Sequence, residues 1–235
     1  MKAIHPYHLL TRFAFGAIGL FMITLFACTD KEPPLKKFEP NPDVVNFMLF
    51  QSGSWWAFED SSTLKKDTLI LSSVSTRYFD EYEARKPIHT NFNYNAKLYQ
   101  TSTNRNYSLN YNSAQDYTHK GVKIPVVALH SYNNTFGKAY ELIFFNTQLN
   151  DSISTHIVHD QVTASRHFVL QEKGTGISIL GKTYDKAYSK IFIRNSVAYD
   201  INDLELWLIE NVGFAHHNMG GNYYLVNHSA TNIVP

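Results

Sequence analysis

Cysteine is almost absent from this chain: among 235 residues there is one, Cys28. A single thiol forms no disulfide within the chain and cannot supply the several thiolates of a zinc site. A basic excess is also missing, because 21 Lys and Arg stand against 20 Asp and Glu. A balanced charge does not attract nucleic acid or an anionic membrane surface. The composition therefore argues against a disulfide scaffold and against a nucleic-acid-binding protein.

Proline and glycine are scarce over most of the chain. Four of the eight prolines lie between residues 33 and 42, and only 11 glycines occur in 235 positions. Proline fixes φ and removes a donor, so segment 28–43 is predicted to be an extended, solvated tether. Beyond it, the aromatic residues are mostly Tyr and Phe, with 15 and 16 copies in the chain. Aromatic side chains pack well on a pleated sheet, which favours strands.

Long hydrophobic runs are limited to one, residues 13–27, which is 15 residues long. Lys2 and Arg12 precede its apolar part and the small Ala27 ends it, which is the layout of a secretory signal peptide. The alternative is an uncleaved transmembrane anchor, but a spanning helix needs about 20 apolar residues. We therefore predict that residues 1–27 form a signal peptide.

Cys28 directly follows this run, in the sequence Leu25-Phe26-Ala27-Cys28. The tetrapeptide resembles the bacterial lipobox, in which the cysteine receives a diacylglycerol and becomes the first residue of the mature protein. The resemblance implies an outer-membrane lipoprotein, anchored by acyl chains such as palmitate, and it removes Cys28 as a catalyst or metal ligand. The following Asp30-Lys31-Glu32 resembles the surface-export signal of Bacteroidota lipoproteins. Both the cell surface and the periplasm-facing side remain open as locations.

Alternation of apolar and polar residues with period two recurs throughout segment 44–235, and helical periodicity is scarce. In 91–98, Phe, Tyr, Ala and Leu share one face, while Asn and Lys share the other. We expect a single all-β domain of about ten antiparallel strands, arranged as a curved sheet, an open barrel or a sandwich. One short helix is predicted at 43–50, with Asp43 as its N-cap.

Three further stretches each resemble a different short motif of one group of proteins. They are Gly53-Ser-Trp-Trp-Ala-Phe-Glu-Asp-Ser, Ile179-Leu-Gly-Lys-Thr-Tyr-Asp-Lys-Ala-Tyr and Leu206-Trp-Leu-Ile-Glu-Asn-Val-Gly-Phe-Ala. Together with the lipobox they resemble small β-rich lipoproteins of Bacteroidota, many of which are uncharacterised. The resemblance implies an exported β-rich lipoprotein and carries over no catalytic residue.

Residues 176–183, Gly-Ile-Ser-Ile-Leu-Gly-Lys-Thr, match the phosphate-binding pattern G-x-x-x-x-G-K-[ST]. That motif needs a flexible loop and a following helix, whereas strand formers occupy the middle of this segment and also follow it. An exported protein also meets no pool of ATP. We therefore expect no nucleotide and no other cofactor.

Two histidine pairs and one acidic segment are candidates for metal ligation. The surroundings of His156 and His159 predict a strand, where residues i and i+3 point to opposite faces. His216 and His217 adjoin a glycine turn, with no third ligand at a recognisable spacing. Segment 200–205 lacks the glycine of an EF-type calcium loop. We predict no metal site from any of them.

Three tryptophans, Trp55, Trp56 and Trp207, are the candidates for facing a ligand, by stacking on a sugar or lining an apolar pocket. The competing interpretation is that tryptophan in a β-rich domain fills the core. On a strand, the adjacent Trp55 and Trp56 point to opposite faces, so one of them should be more exposed.

Nothing in the sequence identifies a catalyst. There is no G-x-S-x-G elbow, and paired carboxylates are recognised in space rather than in sequence. We therefore expect a non-enzymatic binding or interaction module, with an apolar or glycan ligand on the concave face of the sheet or with an envelope protein as its partner. The alternatives are an accessory subunit of an outer-membrane assembly and, behind it, a glycan hydrolase.

Overall fold

Antiparallel strands dominate the structure, a computed structural model, which confirms the all-β prediction. It describes residues 34–119, 121–133, 137–145, 152–159, 162–172, 177–184, 187–195 and 204–235. The predicted signal peptide and Cys28 lie outside these ranges. No helix within them is long and apolar enough to cross a bilayer.

The packed unit spans Lys36–Pro235. Its one described helix, α1 (Pro42–Met48), follows the first strand. The strands are β1 (Lys36–Phe38), β2 (Trp55–Asp60), β3 (Lys66–Glu83), β4 (Lys86–Gln100), β5 (Arg105–His119), β6 (Val122–Asn133), β7 (Gly137–Phe144), β8 (Ser152–His159), β9 (Val162–Glu172), β10 (Ile177–Ile179), β11 (Lys182–Tyr184), β12 (Ala187–Asn195), β13 (Leu204–Ile209), β14 (Gly213–His217) and β15 (Tyr223–Ser229).

Thirteen of the described strands join in one sheet, in the order β7-β6-β5-β4-β3-β2-β15-β14-β13-β12-β9-β8, with β1 added alongside β4. The sheet curls into a half-barrel. Its two halves meet where β2 pairs with β15, so the early and late parts of the unit lie side by side. Of the predicted alternatives, this is the curved, partly closed sheet.

The two faces of the sheet differ in burial, as β2 illustrates. Trp56, Phe58 and Asp60 are buried on what we call the inner face, while Trp55 and Glu59 are partly exposed on the outer face. The burial of alternate residues matches the period of two expected of a strand with one face in the core. It also confirms that Trp55 and Trp56 point in opposite directions.

Helix α1 contributes Val44, Phe47 and Met48 to the core. It contacts both β6 and β14, which are six positions apart in the sheet order. The sheet therefore curls around the helix. Burying each such apolar side chain contributes about 1.5–3 kcal/mol. Core side chains therefore fill the inner face between β6 and β14. The sequence led us to expect an open concave surface there for a ligand.

The N-cap of α1 is Asn41, not the predicted Asp43. The Oδ1 of Asn41 accepts a hydrogen bond of 2.9 Å from the backbone N–H of Asp43. Pro42 then occupies the first helical position, where its missing N–H has no intrahelical partner to lose. Asp43 lies in the first turn, where its negative charge is favourable beside the positive end of the helix dipole.

The packed unit begins earlier than the predicted tether boundary at residue 43. β1 pairs in parallel with residues 89–91 of β4, and Pro40 is buried. The edge of β4 is free there because β5 pairs with β4 only as far as Asn93. The hydroxyl of Ser113 holds the junction by donating to the carbonyl of Phe38, 2.7 Å away.

Residues 177–184 of the phosphate-loop pattern form a two-stranded antiparallel hairpin, β10–β11. Leu180 and Gly181 make its turn, with φ of 47° and 79°. Two successive positive φ angles are typical of the tight turn that joins two strands. The segment therefore lacks the open loop on which the phosphate motif depends.

Candidate functional site

A β-bulge in β14 places two adjacent histidines on opposite faces of the sheet. Trp207 of β13 pairs with His216, whereas Leu208 pairs with Phe214, so Ala215 has no opposing residue. An extra residue shifts the alternation of every residue after it. His216 therefore lies on the outer face, and His217 lies on the inner face.

On the outer face, three rings form what we call the aromatic cluster: Trp207, His216 and Tyr224. The ring centroids of Trp207 and His216 are 4.8 Å apart, and those of His216 and Tyr224 are 4.5 Å apart at an interplanar angle of 33°. His216 is 1% exposed between the other two rings, which are partly exposed. The cluster thus presents aromatic surface to solvent.

Polar side chains border the aromatic cluster. The Oε1 of Glu205 accepts a hydrogen bond of 2.7 Å from the indole N–H of Trp207. Its Oε2 lies 4.0 Å from Nε2 of His216. Across the cluster, the side-chain amide of Asn222 donates to the hydroxyl of Tyr224 at 3.3 Å. The carboxylate fixes the Trp207 ring while remaining partly open to solvent.

The aromatic cluster thus combines two partly exposed rings with a carboxylate and an amide on one surface. No family model matches this chain, and no curated protein or solved structure matches it either. A role for the aromatic cluster therefore has to be argued from its own side chains. Flat rings bind the C–H face of a sugar, and neighbouring carboxylate and amide groups bind its hydroxyls.

Two described carboxylates of the outer face near the aromatic cluster, Glu59 and Glu205, lie on strands that are not neighbours in the sheet. Glu59 shares the outer face because it pairs with Tyr224. Glu59 lies on β2 and Glu205 on β13, which are three strand spacings apart, so that their backbones are separated by about 14 Å. Side chains also diverge on the convex side of a curled sheet. Glycosidase carboxyls lie about 5–9.5 Å apart. Glu205 turns instead toward Trp207.

The inner face carries a buried polar network centred on Gln100, which is 0% exposed. Its Nε2 donates to Oδ2 of Asp67 at 2.6 Å and to the carbonyl of Met219 at 2.7 Å. Its Oε1 accepts from the hydroxyls of Thr103 and Tyr107, at 2.8 and 2.9 Å. Gln100 therefore ties β3, β4 and β5 to the turn that follows β14.

The carboxylate of Asp67 is fully enclosed in this network. Burial by itself would raise the pKa of Asp67, but hydrogen bonds from Gln100 and from the backbone N–H of Ser102 lower it below the usual range. The N–H of Ser102 lies 2.9 Å from Oδ1. Satisfied hydrogen bonds to the charged form are what make a buried carboxylate tolerable.

His217 lies between this carboxylate and two aromatic rings. Its Nε2 is 3.5 Å from Oδ2 of Asp67, and its ring centroid is 4.5 Å from that of Phe58. Neither ring nitrogen has a hydrogen-bond partner among the described residues. Burial lowers the pKa of His217 to about 3, with the charge of Asp67 opposing and His216 reinforcing the shift. His217 is therefore a neutral core residue.

Asp60 links two turns at the edge of the aromatic cluster. Its Oδ1 accepts from the backbone N–H groups of Ser62 and Thr63 at 2.9 and 2.7 Å, and its Oδ2 accepts from the N–H of Asn222 at 2.9 Å. Hydrogen bonds from Ser62, Thr63 and Asn222 hold the pKa of Asp60 well below its usual range. Asp60 thereby positions Asn222 beside Tyr224.

The structure separates the three tryptophans that the sequence proposed as ligand-facing. Trp207 belongs to the aromatic cluster. Trp55 is partly exposed on the outer face, four residues along β2 from Glu59. Trp56 is 0% exposed, with its ring edge-on to Phe50 and Phe214 at 5.2 and 5.1 Å. Trp56 is therefore a core residue without a surface open to a ligand.

The described residues do not bring the histidine and acidic candidates together into a set of metal ligands. His216 and His217 are divided by the sheet. The side chains of His156 and His159 in β8, together with Asp200 and Asp203, lie outside the described residues. Among the described side chains, no group of three His, Cys, Asp or Glu could hold a metal ion.

Proposed function

We propose that this chain is a lipid-anchored, non-enzymatic binding module of a bacterial envelope, attached to the outer membrane through Cys28. The lipobox-like sequence and the proline-rich segment behind it support the anchor. Replacing Cys28 with Ser should move the protein from the membrane fraction to the soluble fraction, because the acyl chains supply most of the membrane affinity. If the Cys28→Ser protein stays with the membranes, the anchor assignment fails.

We further propose that the ligand is a glycan bound on the aromatic cluster. The observation that carries this proposal is the pair of partly exposed rings, Trp207 and Tyr224, packed on His216 with Glu205 bonded to the indole N–H. A pyranose presents an apolar C–H face to such rings and hydroxyls to the groups around them. A preformed surface of this kind loses little conformational freedom on binding.

Calorimetric titration of the purified protein with a panel of envelope and dietary polysaccharides tests the ligand. Trp207→Ala should abolish the binding seen with the wild-type protein. Trp55→Ala is the matched control, since Trp55 is also partly exposed on the outer face but lies outside the aromatic cluster. Equal loss from both variants, or unchanged binding by Trp207→Ala, would contradict the assignment of the ligand to the aromatic cluster.

A further inference from the structure

The hairpin formed by β3 and β4 extends beyond the core as an arm, which we define as residues 79–90. Residues 80–86 are all exposed. The turn lies at Ala84 and Arg85, whose φ angles are 47° and 68°. Beyond the pairing of β1 with residues 89–91, the arm is a two-stranded ribbon that is exposed on both sides and leaves its surface open to a partner.

Large apolar side chains are exposed at this end of the sheet. Tyr82 is 62% exposed and Ile88 is 41% exposed, both in the arm. Val122, at the neighbouring β5–β6 turn, is 61% exposed. It lies toward the same end because β5 runs antiparallel to β4. The arm carries charges of both signs: Arg85 and Lys86 at its turn, and Asp80, Glu81 and Glu83 along β3.

The beginning of the packed unit lies along this arm. Lys36 is opposite His89, and β1 runs parallel to β4, so the first residue of β1 is the one closest to the turn of the arm. Cys28 precedes Lys36 by eight residues. Even a fully extended segment of that length spans at most about 28 Å. An acyl chain on Cys28 therefore keeps the arm close to the bilayer.

We propose that the arm rests on the surface of the phospholipid bilayer that holds Cys28, with Tyr82 and Ile88 at the level of the headgroups. This inference rests on the proposed lipid anchor. Aromatic rings and long cationic side chains favour the headgroup region, because each has an apolar part and a polar end. Because the anchor already holds the arm beside the bilayer, contact between the arm and lipid is an intramolecular event. Two apolar side chains are then enough to keep the arm on the lipid surface.

This orientation directs the aromatic cluster away from the membrane. Lys66, the first residue of β3, pairs with Glu59, which pairs with Tyr224. Glu83, at the other end of β3, is 17 residues further along the strand. At about 3.3 Å per residue, the strand between them has a contour length of about 55 Å. The proposed glycan site thus lies at the end of β3 opposite to the arm.

The test uses the full-length, processed and acylated protein in vesicles of phosphatidylethanolamine and phosphatidylglycerol. With Cys28 acylated, a cysteine introduced as Ile88→Cys or Tyr82→Cys is the only free thiol and can carry a fluorophore. Val226→Cys is the matched control, since Val226 is 42% exposed and Ile88 is 41% exposed. We expect lipids brominated on their acyl chains to quench the label at 82 and 88 severalfold more strongly than the label at 226.

Two outcomes overturn the proposal in distinguishable ways. If the labelled proteins float with the vesicles but quenching at 82 and 88 is no stronger than at 226, the arm does not contact lipid although the anchor holds. If the wild-type protein fails to float and Cys28 reacts with a maleimide, the anchor itself is absent, and the proposed function fails together with the arm.

Discussion

His216 and His217 are neighbours in the chain but belong to different faces of the same sheet. His216 lies under Trp207 and Tyr224 on the outer face, and His217 lies 3.5 Å from Asp67 on the inner face. The bulge at Ala215 produces this arrangement. Without it, simple alternation from the buried Phe214 would place His216 in the core.

The buried, neutral His217 should make the stability of the protein depend on pH. Its folded pKa of about 3 lies below the ordinary histidine pKa of 6.5 that we take for the unfolded chain, so between these two values the unfolded chain binds a proton that the folded chain does not. The free energy of unfolding therefore falls as the pH is lowered from 6.5 toward 3, by about 1.4 kcal/mol per pH unit. Urea denaturation at several pH values measures this slope.

A His217→Gln variant should flatten that dependence, because glutamine has a similar volume and does not titrate. His228→Gln is the control: the pKa of His228 is also lowered by burial and by Lys182, yet its variant retains His217 and should keep most of the slope. An unchanged slope in His217→Gln would show that another group carries the acid sensitivity.

Removing the hub of the inner network should destabilise the fold. Gln100→Ala leaves Oδ2 of Asp67, the carbonyl of Met219 and the hydroxyl of Tyr107 without their partner. Unsatisfied buried groups cost about 1–3 kcal/mol each, so we expect a loss of about 3 kcal/mol or more in urea denaturation. Gln51→Ala, which loses one exposed hydrogen bond to Asn232, should change stability by about 0.5 kcal/mol or less.

The carboxylate of Glu205 should contribute to ligand binding through both its position and its charge. Glu205→Gln keeps an oxygen that can accept from the indole of Trp207 but removes the charge. Because hydrogen bonds to charged groups contribute about 1.5–3 kcal/mol, we expect glycan affinity to fall about tenfold or more in a calorimetric titration. Glu205→Ala should bind more weakly still, and a wild-type affinity in both variants would place the ligand elsewhere.

Asp60 should influence the ligand site only through the turn that it holds. Asp60→Ala removes the acceptor for the N–H of Asn222, so the amides of Ser62, Thr63 and Asn222 should exchange hydrogen faster. Glycan affinity should fall severalfold as Asn222 leaves Tyr224. Ser62→Ala is the control, since it removes one donor to Asp60 and keeps the link to Asn222. Unchanged exchange at Asn222 in Asp60→Ala would contradict this role.

The strands were predictable because period-two alternation is local. The short helix was also found, although its cap was misplaced by two residues because both Asn41 and Asp43 suit the position. The parallel pairing of β1 with β4 was not predictable. It depends on β5 leaving the edge of β4, a contact between distant segments that no local pattern records.

The candidate site was only partly visible in the sequence. Glu205 and Trp207 are two residues apart, and the period-two alternation of a strand places them on one face. The pairing of Tyr224 with His216 was hidden by the bulge at Ala215, because alternation counts residues and cannot detect an unpaired one. Alternation showed that Trp55 and Trp56 point to opposite faces, but it did not show which of the two faces is buried. That depends on the packing of the whole sheet.

The central claim, a module carried on a lipid anchor at Cys28, is tested most directly by the intact mass of the protein extracted from the membrane fraction. We predict a chain that begins at Cys28, lacks residues 1–27 and carries the added mass of a diacylglycerol and any further acyl chain. A chain that retains residues 1–27, or one with an unmodified Cys28, would contradict the account.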